Sequence, residues 1–131
     1  MKEISVRSSS RFEMIDITEA VRKTAREEKI ESGIVLVYTP HTTAAVTINE
    51  NADPDVPRDL LAALDRAVPL SANYRHTEGN SAAHVKSSMV GASEMVIIEN
   101  GNPVLGTWQS IFFCEFDGPR TRKVIVKFIT A

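Results

Sequence analysis

Two polar segments hold all three histidines of this 131-residue chain. Residues 38–43, Tyr-Thr-Pro-His-Thr-Thr, break an otherwise apolar stretch and place backbone N–H groups and the hydroxyls of Thr42 and Thr43 beside the imidazole of His41. Such a set suits an anion or a metal ion, and a plain strand turn carrying an exposed histidine fits it equally. Residues 76–88, HTEGNSAAHVKSS, hold the other two. His84 and Ser88 share a helical face, and Ser81 lies one turn earlier, where the N–H groups and dipole of a helix N-terminus favour an anion. Lys86 adds a positive charge to that stretch. Gly79 allows close approach of the loop to a ligand. His76 and His84 with Glu78 between them supply the donors of a zinc site with an open position, although no metal motif such as HExxH is matched. A solvated helix cap is the bland alternative.

Two further segments carry weaker signals. Asn49-Glu50-Asn51-Ala52-Asp53-Pro54-Asp55 offers oxygen ligands suited to magnesium or calcium, but lacks the glycine and terminal glutamate of an EF-hand loop. Helix-start acids account for Asp53 and Asp55; Asn49 and Glu50 need another reason. In residues 106–120, strand alternation puts Thr107, Gln109, Ile111, Phe113 and Glu115 on one face, with Trp108, Ser110, Phe112, Cys114 and Phe116 on the other. The second face reads as core. Thr107, Gln109 and Arg120 are then the ligand contacts, Arg120 being suited to bidentate phosphate binding and equally to a surface hairpin. Cys114 has no neighbouring histidine or lysine to activate it and reads as structural.

The elements that must position these groups follow from periodicity. Alternation predicts strands at 2–7 and 12–17, with a serine turn between them. Thr18 caps a helix to about Glu31, striped by Val21, Ala25 and Ile30, with Gly33 just past its end. Apolar runs at 33–39 and 44–49 predict central strands. Asp55 and Pro57 open a second helix, with Leu60, Leu61, Leu64 and Val68 on one side, and Asn80 or Ser81 caps a short helical stretch to about Met89. Strands at 94–99, about 104–116 and 123–129 complete the chain. About seven strands and two main helices predict a single α+β domain over residues 1–131, with a mixed, mostly antiparallel sheet.

Composition narrows the class. The chain is 43% hydrophobic and 24% charged, with net charge -2 and no basic block, so nucleic acid is a poor partner. The single cysteine and an N-terminal region without an apolar run point to the cytoplasm. The longest apolar stretches fall far short of the ~20 residues needed to span a bilayer.

Taken together and in order, PHTTAAVTINENADPDV, RHTEGNSAAHVKSS, GTWQSIFFCEFDGPR and the closing KVIVKF resemble the YjbQ family, also described as secondary thiamine-phosphate synthases. The resemblance implies a homotrimer of α+β domains with a site around the histidines holding a divalent metal, zinc or magnesium. It implies an activity joining a pyrimidine pyrophosphate to a thiazole phosphate with loss of pyrophosphate. Carried over by motif, His41, His76 and His84 are the metal or catalytic histidines, with Glu78, Asn49, Glu50 and Asp53 around them. Thr42, Thr43, Ser81, Lys86 and Arg120 address phosphate. Two other readings use the same residues: a non-enzymatic trimer that captures a metal or phosphorylated metabolite, and a metal-assisted hydrolase.

Overall fold

Alternating side chains on the strands sort themselves onto two sheets that face each other. The computed structural model describes residues 1–131. Its elements run β1 (Lys2–Arg7), β2 (Glu13–Asp16), α1 (Thr18–Glu27), β3 (Gly33–Tyr38), β4 (Ala44–Glu50), α2 (Asp55–Ala67), α3 (Ser81–Val90), β5 (Ser93–Glu99), β6 (Asn102–Pro103), β7 (Gln109–Glu115) and β8 (Thr121–Thr130). One sheet has the order β1-β8-β3-β5-β6 and the other β2-β7-β4. Every strand pairing is antiparallel, so the expected single mixed sheet becomes two antiparallel ones. A third helix, α3, stands where a short helical stretch was expected.

Val35, Val37, Val96, Val124 and Val126 of the larger sheet meet Ala44, Val46, Ile111 and Phe113 of the smaller one in the main core. Ile17 and Val21 join that core from the start of α1. The other face of the smaller sheet carries a second cluster of Ala45, Phe112, Cys114 and Phe116, covered by Ala83 of α3 and by Leu61 and Leu64 of α2. Strand β7 is therefore buried on both faces, which explains its run Ile-Phe-Phe-Cys where alternation assigned only one face to the core.

Of the long strand expected over 104–116 only Gln109–Glu115 forms, as β7, because residues 104–108 carry the chain from β6 in one sheet to β7 in the other. Trp108 falls in the turn before β7 and is 63% exposed, so its assignment to the core is corrected. Gly33 also differs from expectation. It opens β3 rather than capping α1, and a Cβ there would sit 2.1 Å from the Ile129 carbonyl oxygen, so only glycine permits this strand contact. Lys29, at φ 55, takes the left-handed position after α1.

Candidate anion-binding cleft

Three connections meet at one end of the sandwich: residues 39–43 between β3 and β4, the loop into α3, and the turn from β7 to β8. They surround a cleft of about 420 Å³ whose one apolar lining group is the Pro40 ring, and which His41, Thr42, Thr43, Glu78, Asn80 and His84 share with Asp117, Arg120 and Arg122. A neighbouring cleft of about 550 Å³ shares Pro40, His41, Thr42 and His84 and extends along Ser87 and Ser88 of α3. The N-terminal end of α3 borders the first cleft through Asn80 and His84, and the Ala83 and His84 N–H groups already donate to the Asn80 carbonyl.

Beneath the cleft lies a buried ion pair that bridges the two sheets. Glu115, the last residue of β7, is fully buried and accepts hydrogen bonds from Arg122 Nε at 2.9 Å, Ser8 Oγ at 2.7 Å and the Asp117 N–H at 3.1 Å. Arg122 in turn donates to Thr43 Oγ1 at 2.8 Å. Burial alone would raise the Glu115 carboxyl, but these donors and the guanidinium charge overcome it and hold the group below its ordinary value. The pair thus ties the 39–43 connection to β8. Ser8 extends the tie by accepting from the Arg120 N–H at 2.9 Å, so the β7–β8 turn is pinned as well.

Asn80 is the hinge of the other wall. Its Nδ2 donates to Asp117 Oδ2 at 2.9 Å, and its Oδ1 lies 3.0 Å from His76 Nε2. His76 packs edge-on against His84 with ring centroids 5.2 Å apart. Arg120 is held by Asp117 through Nε to the backbone carbonyl and NH2 to the carboxylate, leaving half of its side chain exposed at the rim. His41 accepts the Lys123 backbone N–H at Nε2, 3.0 Å away. Burial lowers the His41 pKa, and the charges of Arg122, Lys123 and Arg120 reinforce the shift against the opposing pull of Glu115. The cleft thus sets the His41 imidazole among hydroxyls, an amide, the Arg120 and Arg122 guanidiniums and the carboxylates of Glu78 and Asp117.

The sequence profile of a family described as UPF0047 protein YjbQ-like matches residues 2–131. The chain belongs to the YjbQ family. The Bacillus subtilis UPF0047 protein YugU is 55% identical over 130 residues, 98% of each chain. UPF0047 protein MJ1081 of Methanocaldococcus jannaschii is 51% identical over 124 residues, 95% of this chain and 90% of its own. A crystal structure of a YjbQ/UPF0047 family protein from Clostridium acetobutylicum matches with TM-score 0.96 at 53% identity, over 98% of this chain and 100% of that one.

Within this YjbQ fold the residues singled out by sequence separate into two groups. His41, Thr42, Thr43, Glu78, His84 and Arg120 line the cleft, His76 buttresses it, and Ser81 opens α3 at its edge. Lys86 does not belong with them. Its side chain turns to the opposite face of α3, where its Nζ lies 4.1 Å from the centre of the Phe12 ring and 3.3 Å from Asp65. Asn49 and Glu50 pair with Ser110 and Gln109 at the far end of β4. Five residues of strand, Ala44 to Ile48, separate them from the 39–43 connection, so Thr43 and Asn49 lie roughly 20 Å apart at ~3.3 Å per residue. There Asn49 Oδ1 accepts the Glu50 N–H, Asp53 accepts the Asp55 N–H, and Gln109 accepts the Gly106 N–H. With Thr107 exposed in the turn before β7, all five shape local turns in one chain and stand apart from the histidines.

Arg122, Glu115 and Asn80 were missed as site residues. Alternation could have shown Arg122 on the inward side of β8 beside Val124 and Val126, but no local signal marks its partner. The donors present do not fit a zinc ion held by His41, His76 and His84 of one chain. No three His, Cys, Asp or Glu side chains converge as such an ion requires. His76 Nε2 faces Asn80, and His41 Nε2 is taken by Lys123. No helix is long and apolar enough to cross a membrane.

Proposed function

We propose that the cleft binds the phosphate or pyrophosphate group of a phosphorylated small molecule. The observation that carries this reading is the cleft lining, in which hydroxyls, an amide, histidines and the Arg120 and Arg122 guanidiniums outnumber the carboxylates of Glu78 and Asp117, with the Pro40 ring the one apolar group. Cations, hydroxyls and helix N–H groups are what phosphate oxygens take as partners. The reaction this favours is the one implied by the YjbQ resemblance, in which a thiazole phosphate displaces pyrophosphate from a pyrimidine. Leaving pyrophosphate develops negative charge, and fixed donors around it lower the barrier.

The protein assembles, on this reading, as a cytoplasmic homotrimer. Support comes from the uncovered face of the larger sheet, where Ile34, Met95, Ile97 and Ile129 are all more than a third exposed. Ile34 lies between Ile97 and Ile129 in register, so the three form a contiguous apolar patch of the kind that marks an interface. Light scattering giving three times 14.4 kDa is expected; a monomer refutes the assembly.

Pyrophosphate, with and without Mg²⁺, tests the binding reading by thermal shift. At one hundred times Kd the expected stabilisation is about 2.7 kcal/mol. Absence of a shift at millimolar pyrophosphate overturns it. Turnover of a panel of phosphorylated metabolites then separates an enzyme from a capture protein.

A further inference from the structure

The Lys123 backbone N–H can only donate, so the His41 Nε2 atom it meets at 3.0 Å must offer a lone pair. The proton of the neutral ring is then on Nδ1. Nδ1 has no hydrogen-bond partner in the protein, and no buried polar side-chain atom is left without one. Nδ1 is therefore accessible and unpaired on a residue that lines both clefts.

We infer that His41 acts as a neutral hydrogen-bond donor, presenting Nδ1–H to an anionic oxygen of the ligand, and is neither a metal ligand nor a general base. The inference rests on the anion-binding reading above for its ligand but not for its tautomer. A metal ion at Nδ1 would need the ring proton on Nε2, where it would confront the Lys123 N–H and cost that bond. A base needs a free lone pair, and the one lone pair of this tautomer is spent on Lys123. An imidazolium would bring the same clash at Nε2 and would form beside Arg122, Arg120 and Lys123. A ring kept neutral donates without bringing a full charge and does not titrate away its donor when the ligand is released. Lys123 thus joins the site as a positioning residue through its backbone alone, which its side chain, aimed at Glu3, would never reveal.

The test is ¹⁵N-histidine NMR on the wild-type protein at neutral pH, with His41→Gln used only to assign the His41 signals. The expected spectrum has a protonated Nδ1 and a lone-pair Nε2 for His41. Stoichiometric zinc should leave both nitrogens unmoved, and pyrophosphate should shift Nδ1. A proton on Nε2, an imidazolium pattern, or movement of both nitrogens with zinc overturns the inference even if pyrophosphate binds. The expected tautomer in a protein that binds no pyrophosphate overturns the anion-binding reading, and the donor role with it. Among variants, His41→Asn keeps an N–H near the Nδ1 position and should bind pyrophosphate more tightly than His41→Phe, which should lose about tenfold or more. Equal affinity in the two would refute the donor role.

Discussion

Replacing Arg122 by Met removes the guanidinium from beneath the cleft while keeping most of its length and apolar volume. Glu115, fully buried, would be left as a carboxylate with Ser8 Oγ and the Asp117 N–H as its remaining donors. Breaking a buried pair by removing one partner costs about 3–5 kcal/mol, and the two surviving donors place this case near the low end, about 3 kcal/mol. For 131 residues, an unfolding entropy of ~2.1 cal/mol/K per residue is ~0.28 kcal/mol/K, so the melting temperature should fall by about 11 °C. The pH dependence carries the sharper test. In wild type the folded Glu115 pKa lies below its ordinary value of 4.5, so its stabilisation is present above that value and is lost as pH falls through the folded pKa. In the variant burial is no longer opposed by the guanidinium. The carboxyl then takes up a proton on folding, and the gap between the two melting curves should narrow as pH drops through about 4.5. Calorimetry from neutral to acidic pH makes the measurement, and adding Glu115→Gln to Arg122→Met should recover part of the loss. A fall of less than about 4 °C, or a gap independent of pH, would refute the reasoning.

The same geometry sets two further expectations. Lys86→Met should change stability by about 1 kcal/mol or less, because Met keeps the packing on Phe12 and Asp65 is half exposed; it should leave pyrophosphate affinity within about twofold, and a tenfold loss measured by titration would return Lys86 to the cleft. Gly118→Ala should lower the urea midpoint by the equivalent of about 1–3 kcal/mol, since its Cβ would lie 2.4 Å from the Ser10 carbonyl and 2.6 Å from Ser8 Oγ; an unchanged midpoint would mean the turn is not pinned as described.

Much of the secondary structure was legible because it is written in local periods. The strands at 33–38, 44–50 and 93–99 and the helices opening at Thr18 and Asp55 sit where apolar spacing and Pro or Gly punctuation put them. The family was legible too, since its motifs are contiguous strings of residue types. The β7 run misled for a physical reason: a strand covered on both faces loses the alternation from which a face is read, so the buried Glu115 was set on the face opposite the core, and Trp108 was counted with the core although it precedes the strand.

The sequence by itself determined which residue types are available for chemistry, that His41, Thr42, Thr43, Glu78 and Arg120 lie in breaks between regular elements, and that His84 lies just inside a short helix, because Gly, Pro and polar runs interrupt the apolar periods that mark strands and helices. Only the tertiary structure decided which of those breaks share an end of the sandwich. β4 carries the 39–43 connection at one end and Asn49 and Glu50 at the other, so motifs adjacent along the chain become distant in space, as the ~3.3 Å rise of an extended strand requires. Partner choice across 82 residues, such as the Lys123 N–H with His41 Nε2, depends on the register of β8 against β3 and leaves no local trace in either segment.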